Sequence, residues 1–389
     1  MIMFWLLALH VMLCKSETKY PAHQCGMKMM NYMFEYKYSQ AGDLIIGGIF
    51  TVNSEVYIDH SKYDGYPTTM CIEVHPRHHK HLLAFKLAIK DLNKMNDILP
   101  NVTLGYHLYD SCASINKAIK DVLQILSGHT RTAPNYSCME RQDVMGFIGD
   151  HGSDTTVHIA RLLRMYGYTQ ISYGARDSLL SDRREFPNLF RMVPDDDMQC
   201  VVIVKLLKRM RWNWVGIITF DDEYGERELQ QLSRILANHG VCIEFKILVS
   251  RENVDEIPVS LQKSTAEVII LAGSATRICY EFLRNTRPYH IDKTFILFDS
   301  WAQEEGHQYY SNCNLVFKSV YFPIPGLLEY LYRTNPFSHQ PDDPLRDDIL
   351  ITYYKCYSRD KLKNYFIAPL LHGTNVASGK TEGCAIKMQ

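Results

Sequence analysis

The chain has 389 residues, enough for two ordinary hydrophobic cores, with 42 Lys and Arg against 43 Asp and Glu and a formal charge of −1. That balance lacks the basic excess that draws a protein to nucleic acid or an anionic membrane surface. Eleven cysteines without a CxxC pair point to disulfides in an oxidising compartment and away from structural zinc.

In chain order, Met1 to Cys14 is apolar except for His10 and is followed by the polar segment Lys15–Lys19. Fourteen residues are too few to span a bilayer and fit a signal-peptide core, so residues 1–16 read as a secretion signal. The sequons at Asn101 and Asn135 fit an exported glycoprotein. Asp43–Val52 reads as a buried first strand. His81–Asn96 carries Leu82, Phe85, Ala88, Ile89 and Leu92 at amphipathic helix spacing. Val102–Tyr109 is a strand, and Ser114 caps the next helix, which carries Ile115, Ala118, Ile119, Val122 and Ile125. Strand Val144–Ile148, helix Thr155–Met165, short strand Gln170–Tyr173 and helix Gln199–Met210 follow. Beyond these come strand Val215–Phe220, a helix to Asn238, strands Val241–Val249 and Val268–Leu271, helix Arg277–Asn285 and strand Thr294–Phe298. No later segment reaches 18 uninterrupted apolar residues, so no membrane span is expected in this stretch.

Regular strand–helix alternation means right-handed crossovers and mostly parallel sheets. Residues 323–345 are rich in Pro and Asp and read as an irregular return connection. The expected fold is α/β: a two-lobed periplasmic-binding-protein type I clamshell. Lobe 1 begins in residues 43–211, lobe 2 occupies 212–322, and 323–389 hold the return and part of lobe 1. The first lobe then stands incomplete at Gln389.

Two turns carry chemistry. Strand Val215–Phe220 ends in Asp221-Asp222-Glu223-Tyr224-Gly225, placing carboxylates and an aromatic face where open α/β sheets put ligand-contacting loops. Phe147-Ile-Gly-Asp-His-Gly-Ser153 runs from a strand into a helix N-terminus, where free N–H groups and a hydroxyl suit a carboxylate. The alternative is that Ser153 only caps its own helix. GxGxxG, GxxxxGK, HExxH and a nucleophile elbow are all absent, so nothing supports an enzyme. His75, His78, His79 and His81 have partly metal-like spacing, but a solvated helix start after Pro76 explains them as well. The acids Asp195–Asp197 and Asp342, Asp343, Asp347 and Asp348 either attract Ca²⁺ or form exposed loops; no specific motif demands a cofactor.

These turns, with Ile171-Ser-Tyr-Gly-Ala175, Leu180-Ser-Asp, Phe186-Pro-Asn-Leu-Phe-Arg-Met-Val-Pro-Asp-Asp196 and Trp212-Asn-Trp-Val, form an ordered set. The set resembles the ligand-binding ectodomain of class C G-protein-coupled receptors, across roughly Asp43 to Cys384. Asp43-Leu-Ile-Ile-Gly-Gly-Ile-Phe is most similar to the vomeronasal type-2 and olfactory C group. The resemblance implies a chemosensory, dimeric, plasma-membrane receptor whose lobes close on an amino-acid-like or small peptide ligand and whose seven-helix domain engages a G protein. It also implies that Ser153 and Gly174 hold the ligand carboxylate and that Asp196, Tyr224 and Asp299 surround its ammonium, with Ser274 a weaker contact. Arg176 departs from the family pattern, in which many members carry Ser or Thr there; it reads either as a ligand contact or as an outward-facing side chain. Disulfides Cys71–Cys112 and Cys356–Cys384 are implied, with Cys138 as an intersubunit candidate. Cys242 matches a cysteine that pairs with a downstream domain absent from this sequence, which argues for truncation. The alternatives are a soluble secreted amino-acid-binding or decoy fragment, or a non-functional truncated product.

Overall fold

The computed structural model describes residues 32–63, 66–74, 76–128, 144–273, 292–298, 314–317 and 324–333, with positions 282, 285–286, 345, 348–349, 351–352, 361 and 363–365. The signal segment, most of helix Arg277–Asn285, and Cys138, Asn135, Ser274, Asp299, Cys356 and Cys384 lie outside the described residues.

The chain opens with β1 (Tyr32–Met33), β2 (Lys37–Gln40) and β3 (Leu44–Phe50), then a hairpin of β4 (Asn53–Tyr63) and β5 (Tyr66–Val74). Strand β4 has no apolar run to betray it, because Ser54 and Ile58 are exposed and Glu55–Tyr57 only half-buried. Helix α1 (Pro76–Leu92), β6 (Leu104–Asp110), α2 (Ile115–Ser127), β7 (Val144–Ile148), α3 (Ser153–Tyr166), β8 (Gln170–Ser172) and β9 (Leu189–Arg191) complete the first unit. Helix α1 starts five residues before the periodic apolar run because Pro76 fits a first helical position, where its missing N–H is no loss. Ser114 caps α2 as expected, accepting from the Lys117 N–H, and Gly128 closes it in the left-handed region at φ 66°.

Six of these strands form a sheet in the order β2-β6-β3-β7-β8-β9, parallel throughout except for the edge strand β2, while β1, β5 and β4 form a separate three-stranded sheet. Ala118, Val122 and Ile125 of α2 meet Ile159 and Leu163 of α3 over Ile49, Tyr109 and Phe147 of the sheet. The Cys71–Cys112 disulfide joins β5 to the turn after β6, with Cα atoms 5.7 Å apart.

The second unit comprises α4 (Asp196–Met210), β10 (Trp214–Phe220), α5 (Glu223–Asn238), β11 (Cys242–Val249), α6 (Ile257–Lys263), β12 (Val268–Leu271), β13 (Thr294–Leu297) and β14 (Asn314–Val316). Its sheet, β11-β10-β12-β13-β14, is parallel in every pairing. A parallel sheet covered by helices on both faces needs uninterrupted apolar strands. Val215–Phe220 and Val268–Leu271 meet that need, every residue being buried.

Two observations refine the expected organisation. With a chain crossing expected near Asp195–Arg211, Cys200, Ile203, Val204 and Leu207 of α4 pack in the second core with Ile217 and Leu232. The cores part before α4, so the chain crosses between β9 and Asp196. The stretch 323–345 is not wholly irregular, because it holds a short helix, α7 (Leu327–Arg333).

Both sheets reverse strand order beside their first strand. Strand β3 has β6 on one side and β7 on the other; β10 has β11 on one side and β12 on the other. Crevices at such switch points, beyond the carboxyl ends of the strands, are where open α/β sheets bind ligands.

Candidate ligand-binding site

The turn 149–153 leaves the carboxyl end of β7, at the first switch point. It is built on Asp150, a fully buried carboxylate that accepts from Thr51 Oγ1 (2.7 Å), Ser111 Oγ (2.6 Å) and the His151 N–H (2.6 Å). Three donors from three segments fix the turn, so the helix behind it starts from a rigid base. The N-cap of α3 is Gly152, without a side-chain capping bond. Ser153 therefore does not cap its own helix. Its Oγ accepts instead from the N–H groups of Arg176 and Asp177, both at 3.1 Å, tying the loop after β8 to the start of α3. With two N–H groups on its lone pairs, the hydroxyl keeps its own proton to donate.

The loop after β8 presses close to this turn. A side chain on Gly174 would stand 2.8 Å from the His151 carbonyl oxygen and 2.9 Å from its Cα, so only glycine fits. Arg176 and Asp177, next along, are both buried. Burial overturns the outward-facing reading of Arg176. Its carbonyl accepts from the Asp196 N–H (3.1 Å) and the Arg191 guanidinium (3.3 Å). Asp177 caps a short 3-10 turn through Leu179 N–H (2.9 Å).

From the second unit, α4 and α5 point their N-termini toward this loop. Tyr224, in the first turn of α5, donates its phenolic proton to the Asp196 carboxylate in the first turn of α4, and both are buried. Burial pushes Asp196 up to about 6, while Tyr224 and the Arg176 charge pull it down. Gly225 is required here too, since a Cβ would lie 2.2 Å from the Phe220 carbonyl oxygen. Arg227, one helical turn further on α5, crosses to Asp177 at 2.6 Å and approaches Asp154 at 3.6 Å.

Four of the expected contacts, Ser153, Gly174, Asp196 and Tyr224, thus lie on segments linked through Arg176: Ser153 Oγ accepts from its N–H, its carbonyl accepts from the Asp196 N–H, and Asp196 accepts from Tyr224. Arg227 and Asp150 have no local sequence pattern, because Asp177, Thr51 and Ser111, which they contact, are far away in sequence. The acidic run divides its tasks: Asp195 caps α4, Asp196 meets Tyr224 and Asp197 accepts from Gln231. It is not an exposed loop, and its acids do not converge. Asp348 is buried and paired with Lys363 at 2.9 Å. Among the described residues the one convergent set of metal-type donors is Cys71, Asp110 and Cys112, whose two sulfurs are bonded to each other. The histidines are not a solvated helix start: His79 is buried, His78 packs tilted against His151 at 4.7 Å and His81 stacks on it at 5.7 Å.

Residues 80–321 match the family described as "Receptor family ligand binding region". The chain belongs to that family. It is 27% identical over 310 residues to the pig extracellular calcium-sensing receptor, covering 76% of this chain and 29% of the receptor. It is 27% identical over 279 residues to the goldfish G-protein coupled receptor family C group 6 member A, covering 67% of this chain and 32% of that protein. It is 29% identical over 319 residues to the dog taste receptor type 1 member 2, covering 76% and 38%. The chain therefore spans about a third of the length of the curated relatives it matches. As a receptor-family ligand-binding region with class C homology, it is a binding domain and not an enzyme. Among the described residues no helix is long and apolar enough to cross a membrane.

Proposed function

We propose that this ligand-binding region senses an amino-acid-like ligand between its two units and that lobe closure is its output. The observation that carries this reading is the Ser153 hydroxyl, braced by two backbone N–H groups and linked through Arg176 to the buried Asp196–Tyr224 pair of the second unit. A zwitterion needs a donor for its carboxylate and charge-assisted acceptors for its ammonium, or desolvation defeats binding. Ser153 and Gly174 take the carboxylate; Asp196, Tyr224 and Asp299 take the ammonium; Arg176 and Ser274 flank them. With contacts divided between the units, a ligand favours the closed arrangement over the open one.

The parent protein is then a chemosensory, vomeronasal-type class C receptor. It is dimeric, with Cys138 at the subunit boundary, and coupled to a G protein through a seven-helix domain. Its place is the plasma membrane with this region outside, reached through the signal segment 1–16. Asn101, exposed beside β6, and Asn135 are its glycosylation sites. Supporting this are the class C relatives and the switch-point geometry.

A thermal-shift screen of the chain against the twenty amino acids tests it. A ligand that binds only the folded state raises the midpoint. A rise with some amino acids that disappears in Ser153→Ala and Asp299→Ala is expected; a clean melt with no rise for any of them would overturn the reading.

A further inference from the structure

Beneath the Asp196–Tyr224 pair lies a third carboxylate. Helix α5 buries the stripe Tyr224, Glu228, Leu232 and Leu236, one residue per turn, and Glu228 is the charged member of an otherwise apolar face. Only 6% of Glu228 is exposed. Neither carboxylate oxygen completes a hydrogen bond, although the Gly273 N–H is close enough to favour the ionised form. Thr219 Oγ1, fully buried at the end of β10, also has no partner, and it borders Gly225 and Gly273. A buried polar group without a partner is costly and rare in folded proteins.

The charges around it show what is missing. Three buried carboxylates, Asp196, Asp177 and Glu228, act on one another, and Asp222 adds to the repulsion. Two guanidinium groups stand against them. Arg227 pairs with Asp177, and Arg176 faces Asp196. No cation among the described residues pairs with Glu228. We propose that Glu228 is a ligand-reading residue, which together with Asp196 and Thr219 takes an ammonium or guanidinium group of the ligand. This inference rests on the cleft described above and names the chemical class that the cleft selects. An organic cation suits these few oxygens better than a hard metal ion, which demands six to eight.

Burial and Asp196 raise Glu228 well above its ordinary range, with Asp177 and Asp222 adding to the rise. Burial therefore favours the protonated form of Glu228, and an arriving cation favours the ionised one. Ligand binding should release protons, and affinity should rise with pH. Among the described residues, Tyr224 on α5 and Cys200 on α4 are further titratable groups that Glu228 acts on.

Calorimetric titration of the full chain with L-lysine, L-norleucine and 6-aminohexanoate, in two buffers of different ionisation heat, tests this. These probes carry both amines, the α-amine alone and the distal amine alone. Glu228→Gln should weaken the probes bearing the amine that Glu228 reads by about ten- to a hundredfold, leaving the remaining one unchanged. If norleucine is spared, the group read is the side chain; if 6-aminohexanoate is spared, it is the α-ammonium. The unmutated chain should release protons on binding, a readout independent of how well the variant folds. Binding that Glu228→Gln leaves unchanged, or that is as tight with CaCl₂ alone, overturns the proposal while sparing the cleft. Failure of all three probes to bind overturns both.

Discussion

Arg227 Nη2 lies 2.6 Å from Asp177 Oδ2, joining α5 of the second unit to the loop after β8 of the first, 50 residues earlier in the chain. The pair is unequal: the Asp177 side chain is 3% exposed and that of Arg227 is 33% exposed. Removing the guanidinium strands a buried carboxylate, whereas neutralising the carboxylate leaves a guanidinium that water and Glu223 still solvate. Arg227→Met should therefore destabilise by about 2 kcal/mol and Asp177→Asn by under about 1 kcal/mol. Urea unfolding of the two variants checks the order; equal losses would mean that the contact does not bridge the units.

Ser153→Ala deprives two buried N–H groups, those of Arg176 and Asp177, of their acceptor. The expected loss is about 1–3 kcal/mol. It should be local: hydrogen exchange at residues 176 and 177 should speed up, while that of β3 and β7 should not. Uniform acceleration would make Ser153 an ordinary core residue.

The pH dependence has a definite sign. Asp196 sits at about 6 in the folded chain, above its ordinary 3.8. The folded state therefore holds the proton more tightly than the unfolded one, and this stabilisation is present below about pH 4 and lost as pH rises through 6. The change is on the order of 2–3 kcal/mol. Glu228 shifts in the same direction. Stability of the unliganded chain, followed by urea unfolding from pH 4 to 7, should fall, and Asp196→Asn should flatten the curve.

Replacing Cys71 and Cys112 with alanine opens a loop of 41 residues and should cost about 3–4 kcal/mol in the chain-entropy model. Calorimetric melting with and without reductant measures the same quantity. An unchanged midpoint would contradict the bond.

The second sheet was the most legible part of the chain, because Val215–Phe220 and Val268–Leu271 are buried on both faces and leave unbroken apolar runs. Strand β4 was not, since its described residues beyond Asn53 are half-buried or exposed and lack either signal. Helix α4 is legible as a helix, but a helix pattern shows which side is apolar and not which core receives it. At the site, turn chemistry singled out Ser153 and Tyr224, whereas the burial of Arg176 and its contact with Asp196 depend on folding distant segments together. Glu228 was readable in principle, as a charge at i+4 within the stripe Tyr224–Leu232–Leu236.

Equilibrium dialysis of the chain against an equimolar mixture of the twenty amino acids, with the retained species identified by mass spectrometry, tests the central claim most directly. A cleft that joins the Ser153 turn to the Asp196–Tyr224 pair predicts retention of one or a few amino acids by the native chain and of none by a Ser153→Ala, Tyr224→Phe double variant. Equal retention by both proteins, or no retention by the native chain, would contradict it.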